Sequence, residues 1–342
     1  MAPTTIRDVA KRAGVGVGTV SRVLNDSSAV SESTRLKVMA AIKALDYSPN
    51  LAARRLSRGK TMTIGVIVPF FTNPSVVRRL QGIVSVLTGS DYDLVLFDIE
   101  TAGSQSVFLG NIPRRELADG LLIISLSPQD DDAEEFAEAH LPTVLVDAYH
   151  PLLSRVVVDN VDAGYQATQH LIDLGHCRIG FISDYLDGPF SSSVIDRYKG
   201  YRQALADAGI EFRPGYHRQG VHGRLQARQM ALELLTSPDP PTAIFAYSDT
   251  QAVGVVEAAR ELNLNVPRDL SVVGFDNIDA AEYLNLTTID QCLFESGVRG
   301  AELLFEEMTV LSSEPQEILL PTKLVVRGTT AALSDRMCSD KV

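Results

Sequence analysis

The feature that most constrains the fold is a series of short apolar runs that alternate with segments of helical period between residues 64 and 330. The runs are IGVIVPF, YDLVLFDI, GLLIISLS, TVLVDAY, RVVVDN, RIGFISD, AIFAYSD and LSVVGFD. Near-continuous apolar runs of this length are typical of parallel strands that are buried on both faces. The intervening segments, such as DAGYQATQHLIDLG and TQAVGVVEAARELN, predict helices. The pattern therefore indicates α/β architecture with an open, doubly wound parallel sheet.

The length of this α/β region predicts two lobes. The chain has 342 residues, and about 270 residues of α/β pattern exceed one compact sheet. We therefore predict two α/β lobes joined by several crossovers. The predicted boundaries are an all-α module at 1–49, a linker at 50–60, the two-lobed domain at 61–330 and a C-terminal tail at 331–342.

Charge is distributed unevenly along the chain. The net charge is -12, but residues 1–60 carry +7 and residues 61–342 carry -19. A small basic module attached to a large acidic body indicates phosphate contact at one end of the chain.

The N-terminal module has the pattern of a helix-turn-helix. Thr5 and Asp8 match a capping box that opens a first helix, and Gly14 lies where that helix must stop. A second helix is predicted from Val17 to Asn25, and a third from Glu32 to Leu45 after a possible Ser31 cap. The predicted inward residues are Ile6, Val9, Ala10, Val20, Val23, Leu24, Leu36, Met39, Ile42 and Leu45.

The second helix of this module is the predicted DNA-reading element. The basic charge and the outward Thr19, Ser21 and Arg22 favour DNA binding, since these side chains can contact phosphates or base edges. The alternative is a three-helix bundle that binds protein or has no ligand.

The chain resembles the lactose/galactose-repressor (LacI-type) family of bacterial transcription regulators in three segments. They are IRDVAKRAGVGVGTVSRVLND, VSESTRLKVMAAIKALDYSPN and LAARRLSRGKTMTIGVIVP. The resemblance implies a two-lobed domain like that of periplasmic sugar-binding proteins, up to about residue 330. It also implies that Val17, Gly18 and Arg22 face bases. Gly16 and Gly18 depart from the family pattern, and Gly18 offers no side chain to a base, so we expect direct readout to rest chiefly on Arg22.

The linker LAARRLSRG is too short to form a stable helix in isolation. The resemblance implies a hinge helix that folds on DNA, with Leu56 wedged into the minor groove and Arg54, Arg55 and Arg58 near phosphates. A flexible basic linker is the alternative. The residues predicted to contact DNA are Thr5, Val17, Gly18, Thr19, Ser21, Arg22, Asn25, Tyr47, Asn50, Arg54, Arg55 and Leu56.

Polar side chains follow the predicted strands at the edge where a ligand binds in open α/β sheets. They are Ser125, Asp147, Ser248, Asp249, Asp276 and Gln291. Aspartates, amides and an arginine fork suit a sugar-like ligand between the lobes. The resemblance assigns effector contacts to Arg197 and Asp276, and more variable contacts to Ser125, Asp147, His222, Ser248 and Gln291. The alternatives are helix caps for Asp147 and Asp249, and caps or surface pairs for Arg197 and Asp276.

The segment PFFTNPSV has Ser75 and Val76 where the family usually carries aromatic residues. Phe70 and Phe71 are predicted to supply an apolar wall of the effector site instead. The alternative places them in a dimer contact or at the cleft rim.

Several patterns resemble other sites and are rejected. Gly14, Gly16 and Gly18 have GxGxG spacing and follow no strand, and the RGKT at 58–61 lacks the earlier glycine of a nucleotide loop. His170, His176 and Cys177 have no metal-ligand spacing and are interpreted as solvated turn residues, and 130–132 as a solvated acidic turn. With no GxSxG, HExxH or triad, we predict no enzyme activity, no metal and no cofactor.

The remaining features indicate the compartment. Cys177, Cys292 and Cys338 are far apart and are expected to be reduced thiols. No apolar run is long enough to span a membrane, and the N-terminus lacks the apolar core of a signal peptide, so we expect a cytoplasmic protein with no membrane partner.

These patterns together predict a transcriptional repressor that binds a palindromic operator in double-stranded DNA as a homodimer. Its effector is a small molecule, with a sugar or sugar derivative preferred over a nucleobase or nucleoside. The tail is too short for a heptad zipper, which favours a dimer over a tetramer. The alternative is a cytoplasmic sugar-binding or sugar-modifying protein without specific DNA binding.

Overall fold

The computed structural model describes residues 4–24, 27, 29–47, 60–99, 117–188, 192–309 and 314–333. It divides the chain into two compact units, Met1–Thr61 and Met62–Val342. The first unit contains helices α1 (Ile6–Ala13), α2 (Val17–Leu24) and α3 (Glu32–Ala44).

The predicted start and end of α1 are confirmed. The backbone N–H and the hydroxyl of Thr5 both donate to the carboxylate of Asp8, at 2.9 and 2.7 Å. Gly14 ends the helix with φ 67°, a left-handed conformation that glycine adopts at little cost.

The core of the helical unit is small and aliphatic. Its buried residues are Val9, Ala10, Val20, Val23, Val38 and Ala41. The predicted inward positions of Leu36 and Met39 are wrong, because these side chains are 63% and 52% exposed. The buried face of α3 follows Val38, Ala41, Ile42 and Leu45 at helical spacing, which places Leu36 and Met39 on another side of the helix. Ser31 does precede α3, but its hydroxyl contacts the Thr34 hydroxyl at 2.9 Å rather than a backbone amide.

The described part of the second unit forms two six-stranded sheets. The N-lobe sheet has the order β11 (Glu317–Leu320), β5 (Ser154–Val158), β4 (Thr143–Val146), β3 (Gly120–Ile124), β1 (Thr63–Val68), β2 (Asp93–Asp98). The C-lobe sheet has the order β12 (Lys323–Val325), β10 (Thr287–Asp290), β9 (Ser271–Asp276), β8 (Ala243–Ala246), β6 (Ile179–Asp184), β7 (His217–Gly220). Every pairing between the described strands is parallel except that of β10 with β12. The predicted parallel α/β fold in two lobes is therefore confirmed.

Eight helices cover these sheets in the described part of the chain. They are α4 (Pro74–Leu87), α5 (Asp130–Glu138), α6 (Asn160–Asp173), α7 (Ser192–Asp207), α8 (Arg224–Leu235), α9 (Asp249–Glu261), α10 (Asp279–Tyr283) and α11 (Leu293–Thr309). After β5 the chain crosses to the C-lobe, where α6 packs on α7. After β10 it returns to the N-lobe, where α11 packs on α4. Each lobe is therefore completed by chain that comes from the other lobe.

Two predictions about turns are wrong. His176 is buried, with Nδ1 2.9 Å from Thr242 Oγ1 and Nε2 3.0 Å from Ser271 Oγ, and it also contacts the carbonyl of Ala331 at 3.1 Å. These contacts link His176 to the residue before β8, to the first residue of β9 and to the chain that follows β12. Asp130 begins α5 instead of lying in a loop. Asp132 is buried in the first turn of this helix and accepts the backbone N–H of Gln129 at 3.0 Å.

His170 and two of the cysteines also have defined surroundings. Nε2 of His170 lies 3.0 Å from Thr330 Oγ1, so this ring is not a solvated turn residue either. Cys177 is exposed and Cys292 half-buried, and both are free thiols, whereas Cys338 lies outside the described residues. Among the described residues, no cluster of His, Cys, Asp and Glu could hold a metal ion. No described helix is both long enough and apolar enough to cross a membrane.

Candidate functional site

The outward face of α2 is the first candidate surface. Val17, Gly18 and Arg22 are exposed there, while Thr19 and Ser21, expected to be exposed, are half-buried. A Cβ built on Gly18 would meet no atom within 4 Å, so the glycine leaves a gap on this face and is not needed for packing. Arg22 is therefore the long polar side chain that α2 presents outward.

The rest of the helical unit adds positive charge. Arg7, Lys11, Arg12, Lys37 and Lys43 are exposed. Thr5 is exposed, and its hydrogen bonds lower the pKa of Asp8 and keep that carboxylate ionised at the start of α1. Tyr47 is half-buried against the helical core. Of the other residues predicted to contact DNA, Asn25, Asn50, Arg54, Arg55 and Leu56 lie outside the described residues.

The second candidate site is a cavity of about 100 Å³ between the two lobes of the second unit. It is lined by Phe70, Ser125, Asp147, Arg197, His222, Ser248, Asp276 and Gln291, all of which were predicted to bind effector. Phe71 does not line it, and its backbone N–H donates to the Asp98 carboxylate at 3.1 Å. The lining also includes residues that sequence reasoning missed, among them Asn73, Arg79, Asp184, Ser193 and Tyr247.

The backbone at this edge of the sheets is unusual. Phe70, Ser125, Asp147 and Asp276 have positive φ angles of 54°, 51°, 57° and 120°. Residues other than glycine adopt such angles at a cost, and they cluster at binding and catalytic sites. The strand ends are therefore shaped to aim these side chains at the cavity.

Arg197 is the central side chain on the C-lobe side. It is 2% exposed, and its Nε donates to Asn160 Oδ1 and its Nη1 to the Tyr247 carbonyl, both at 2.9 Å. Its guanidinium lies 3.4 Å from the centre of the Phe275 ring, and its Nη1 is 4.0 Å from Asp276 Oδ1. These contacts fix the position of the Arg197 guanidinium, which is therefore preorganised to bind a polar ligand.

Arg79 is the corresponding side chain in the N-lobe. It is 2% exposed, and its Nη2 lies 2.9 Å from Asp147 Oδ2 and 3.0 Å from Gln291 Oε1. The same Asp147 oxygen accepts from the Ser125 hydroxyl at 2.9 Å, and Gln291 Nε2 donates to Asp276. A continuous chain of hydrogen bonds therefore runs from the N-lobe to the C-lobe along the cavity.

A third polar group contains His222. Its Nδ1 lies 3.1 Å from Asp184 Oδ2, and Gln251 Nε2 donates to the other oxygen of that carboxylate at 2.7 Å. Burial of the ring lowers the pKa of His222, but the hydrogen bond to Asp184 and the charge of Asp184 outweigh it, so the net pKa is raised.

Two aspartates near the cavity have raised pKa values. Burial raises the pKa of Asp276 to about 6, although Arg197 and Arg79 oppose this rise. Burial and the charge of Asp276 raise the pKa of Asp249 well above its usual value.

Neither of the two aspartates considered as helix caps has that role in the described residues. Asp249 does not line the cavity, and it accepts from the Thr288 hydroxyl and the Ile278 backbone N–H at 2.6 and 3.0 Å. The cap of α9 is Ser248, which accepts the N–H of Gln251 at 3.2 Å and also lines the cavity. Asp147 caps no described helix, since it pairs with Arg79.

The cavity is suited to binding an uncharged polar molecule. Two arginines face three aspartates, and these groups are paired with one another or with amides and hydroxyls. Paired donors and acceptors of this kind can exchange hydrogen bonds with ligand hydroxyls.

A helix-turn-helix unit with an exposed basic surface, joined to a two-lobed domain with a polar cavity, defines a ligand-binding transcriptional regulator. Residues 5–50 match the family described as bacterial regulatory proteins, lacI family, and residues 168–330 match the periplasmic binding protein-like domain. Catabolite control protein A of Priestia megaterium is 32% identical over 330 residues, which cover 95% of this chain and 99% of that protein. The chain belongs to the LacI family and is a DNA-binding transcriptional regulator.

Solved structures agree with this assignment. A lac repressor dimer bound to operator and the anti-inducer ONPF superposes with a TM-score of 0.84 at 29% identity, covering 96% of this chain and all of that chain. A LacI family regulator from Enterococcus faecium with bound ribose has a TM-score of 0.72 at 30% identity, covering 80% of this chain and all of that chain.

Proposed function

We propose that this protein is a cytoplasmic repressor that binds a palindromic operator as a homodimer and releases or tightens it when a sugar or sugar derivative enters the cavity. The observation that carries the proposal is the presence, in one chain, of an exposed Arg22 on a helix-turn-helix and a preorganised polar cavity between two lobes. The protein acts by binding, not by catalysis.

The effector proposal rests on the size and the charge of the cavity. The cavity volume of about 100 Å³ limits the effector to a molecule of about one ring, since a cavity of roughly 150 Å³ holds benzene. The balance of arginines and aspartates favours an uncharged, hydroxylated ring. The ribose bound by the Enterococcus faecium relative is a ligand of this kind. We assign effector contacts to Phe70, Ser125, Asp147, Arg197, His222, Ser248, Asp276 and Gln291.

The operator proposal rests on the helical unit. We assign base contact to Arg22 and Val17, and phosphate or backbone contact to Thr5, Thr19, Ser21 and Tyr47. In a dimer, two copies of α2 would lie in successive major grooves about one helical turn apart, which requires a palindromic site. The lac repressor relative is a dimer bound to operator. The proposed boundaries are 1–49, 50–60, 61–330 and 331–342.

The test is selection of the purified full-length protein on a random duplex pool at near-physiological salt, because non-specific phosphate binding weakens steeply there. We expect recovery of one palindrome. Arg22→Ala should then relax the preference at one base pair in each half-site, whereas Lys11→Ala should leave the preferred sequence unchanged. A failure to enrich any sequence, with and without a sugar panel, contradicts the proposal.

The second candidate is a sugar-binding protein whose helical unit has no specific DNA partner, and the polar cavity alone would serve it. Deletion of residues 1–60 separates the two. Loss of operator binding with retained sugar binding supports the repressor, and unchanged DNA binding supports the alternative.

A further inference from the structure

We propose that Arg79 and Asp147 form a second effector clamp, the N-lobe counterpart of Arg197 and Asp276, and that the effector presents uncharged hydroxyls to both clamps. This inference rests on the proposed function, since it concerns the same cavity, and it adds a specificity determinant that the sequence pattern did not indicate. The N-lobe clamp consists of Arg79, Asp147 and Gln291, and the C-lobe clamp consists of Arg197, Asp276 and Asn160.

The two lobes repeat one topology. Their sheets have matching orders, so that β1, β3 and β4 of the N-lobe occupy the places of β6, β8 and β9 in the C-lobe. The first strand of this set leads into α4 in one lobe and into α7 in the other. In both lobes the helix that arrives from the other lobe, α11 or α6, packs against it.

The two arginines occupy equivalent places on these helices. Arg79 is followed three residues later by Gly82, and Arg197 three residues later by Gly200. A Cβ on Gly82 would clash with the backbone oxygen of Phe294, and one on Gly200 with that of Val161.

The glycines on the opposing helices repeat the relationship. A Cβ on Gly297 would clash with the carbonyl oxygen of Arg79, and a Cβ on Gly164 would clash with the carbonyl oxygen of Arg197. Each arginine backbone is therefore fixed by a close helix contact through glycine, which sets the position of its side chain at the cavity.

The partners of the arginines repeat as well. Asp147 follows β4 and Asp276 ends β9, so each carboxylate lies at the carboxyl end of the corresponding strand. Each arginine also donates to a carboxamide just beyond a strand that leads into a crossover: Arg79 to Gln291 after β10, and Arg197 to Asn160 after β5. The arginine, carboxylate and amide of one clamp thus have counterparts of the same chemistry in the other.

The N-lobe clamp contains a hydrogen-bond donor and an acceptor that have no partner in the described part of the chain. Among the residues that the structure describes, Arg79 Nε and Asp147 Oδ1 are buried without a hydrogen-bond partner. Native structures rarely bury charged donors and acceptors without partners, and such groups at a cavity wall are candidates for ligand contact. Both residues line the cavity.

The unpaired donor and acceptor indicate which chemical group of a ligand can bind there. A hydroxyl can accept from Arg79 and donate to Asp147, whereas a phosphate or carboxylate can only accept and would place its charge near Asp147, Asp184 and Asp276. The charge of Arg79 is already balanced by Asp147 at 2.9 Å, so the pair offers no net attraction to an anion. The clamp therefore selects a neutral sugar and rejects its phosphorylated form.

The experiment measures binding to the full-length protein in the absence of DNA. The probes are neutral aldopentoses and aldohexoses and their 5- or 6-phosphates, screened by thermal shift and titrated by calorimetry. For a sugar that binds, Arg79→Leu should weaken affinity by about 10- to 100-fold, as Arg197→Leu should. The control is Arg228→Leu, a surface arginine paired with Glu261, which should stay within about twofold.

A folding defect is separated from a binding defect by the double variant Arg79→Leu with Asp147→Leu. It removes both buried charges and leaves no unpaired carboxylate, a change that proteins often tolerate. We expect it to unfold cooperatively near the wild-type temperature and still to bind sugar weakly. Full affinity in this variant, tighter binding of a sugar phosphate than of its parent, or binding of no neutral sugar overturns the proposal. Operator selection reports separately on the repressor function, so it can succeed when the clamp proposal fails.

Discussion

At the scale of the residue, burial in this protein does not identify ligand contact. Asp249 and Asp276 are both buried aspartates near the carboxyl ends of strands, yet only Asp276 lines the cavity. Asp249 instead ties α9 to β10 through Thr288 and to the segment before α10 through Ile278. Their roles differ because the structure turns one carboxylate toward the cleft and the other into the lobe.

Asp249→Ala should therefore destabilise the two-lobed domain without removing an effector contact. The change leaves the Ile278 N–H and the Thr288 hydroxyl without their acceptor, at an expected cost of about 2–4 kcal/mol in the free energy of unfolding. Urea denaturation of the full chain measures it. Asp279→Ala, at an exposed carboxylate on α10, is the control and should cost less than about 0.5 kcal/mol. Equal effects of the two changes would show that Asp249 has no anchoring role.

His217 makes a second residue-scale prediction, about pH. Its ring stacks on Tyr198, with centroids 4.6 Å apart, and its Nε2 lies 2.9 Å from the Ser183 hydroxyl. Burial, with a smaller contribution from Arg218, lowers the pKa of His217 from 6.5 to about 4. The folded state therefore favours the neutral ring, and this stabilisation is complete above pH 6.5 and is lost as the pH falls toward 4.

The measurement compares thermal unfolding of the wild type and His217→Gln at several pH values. Because other groups also titrate in this range, the prediction concerns the difference between the two proteins. From pH 7.5 to pH 4.5 the wild type should lose about 1–2 kcal/mol more stability than the variant, which is less than the full pKa shift gives because solvent screens the half-buried ring. Parallel curves for the two proteins would contradict the assigned pKa direction.

Sequence reasoning found most of the cavity and missed Arg79 for a definite reason. Arg78 and Arg79 are adjacent, and their identity does not indicate which one faces inward. Helical periodicity could have identified the inward arginine. Arg79 lies three residues after Val76 and four before Ile83, on the apolar side of α4. His176 was missed similarly, because its partners Thr242, Ser271 and Ala331 are distant in sequence.

At the scale of the element, the two glycines of the helix-turn-helix have opposite physical roles. Gly14 has φ 67° at the end of α1, whereas Gly18 lies inside α2, and a Cβ built there would meet no atom within 4 Å. Gly18→Ala should stabilise the helical unit by about 0.5–1 kcal/mol through helix propensity. Gly14→Ala should destabilise it by about 1 kcal/mol, because alanine is strained at positive φ. Hydrogen exchange of α1 and α2 amides in the full-length chain should slow roughly two- to fivefold in the first variant and quicken in the second. A change of exchange rate in the same direction for both variants would contradict these opposite roles of the two glycines.

The strands that sequence reasoning missed are short and lack the long apolar run that marks a buried strand. β7 reads HRQG, and it is a strand because it pairs with β6 at the edge of the C-lobe sheet. β11 is half exposed and pairs with β5 from a distant part of the chain. β2 was predicted as a buried strand, but it is an edge strand with exposed residues along it. Composition therefore predicted the central strands, whereas the position of a strand at a sheet edge, and the short strands β7 and β11, depend on pairing that composition does not show.

At the scale of the whole molecule, ligand control of operator binding requires that the effector and the operator each bind the protein's conformers with different affinities. A ligand changes operator affinity only through its difference in affinity for those conformers. The hydrogen-bonded chain Asp147–Arg79–Gln291–Asp276, which joins the lobes along the cavity, is the contact that a ligand between the lobes must remake or reinforce. Because this chain of hydrogen bonds joins the two lobes, ligand binding at the cavity is coupled to the relative orientation of the lobes.

The resulting prediction is reciprocity between the two ligands. If a saturating effector changes the operator dissociation constant by a factor, typically about 5- to 150-fold, the operator must change the effector dissociation constant by the same factor. Calorimetry of the effector with and without operator duplex, and anisotropy of labelled operator with and without effector, give the two factors independently. Arg197→Leu should move the effector response to about 10- to 100-fold higher effector concentration while leaving basal operator affinity in place. Equal effector affinity with and without operator would mean that the cavity and the helix-turn-helix are uncoupled, and the protein would then bind DNA constitutively.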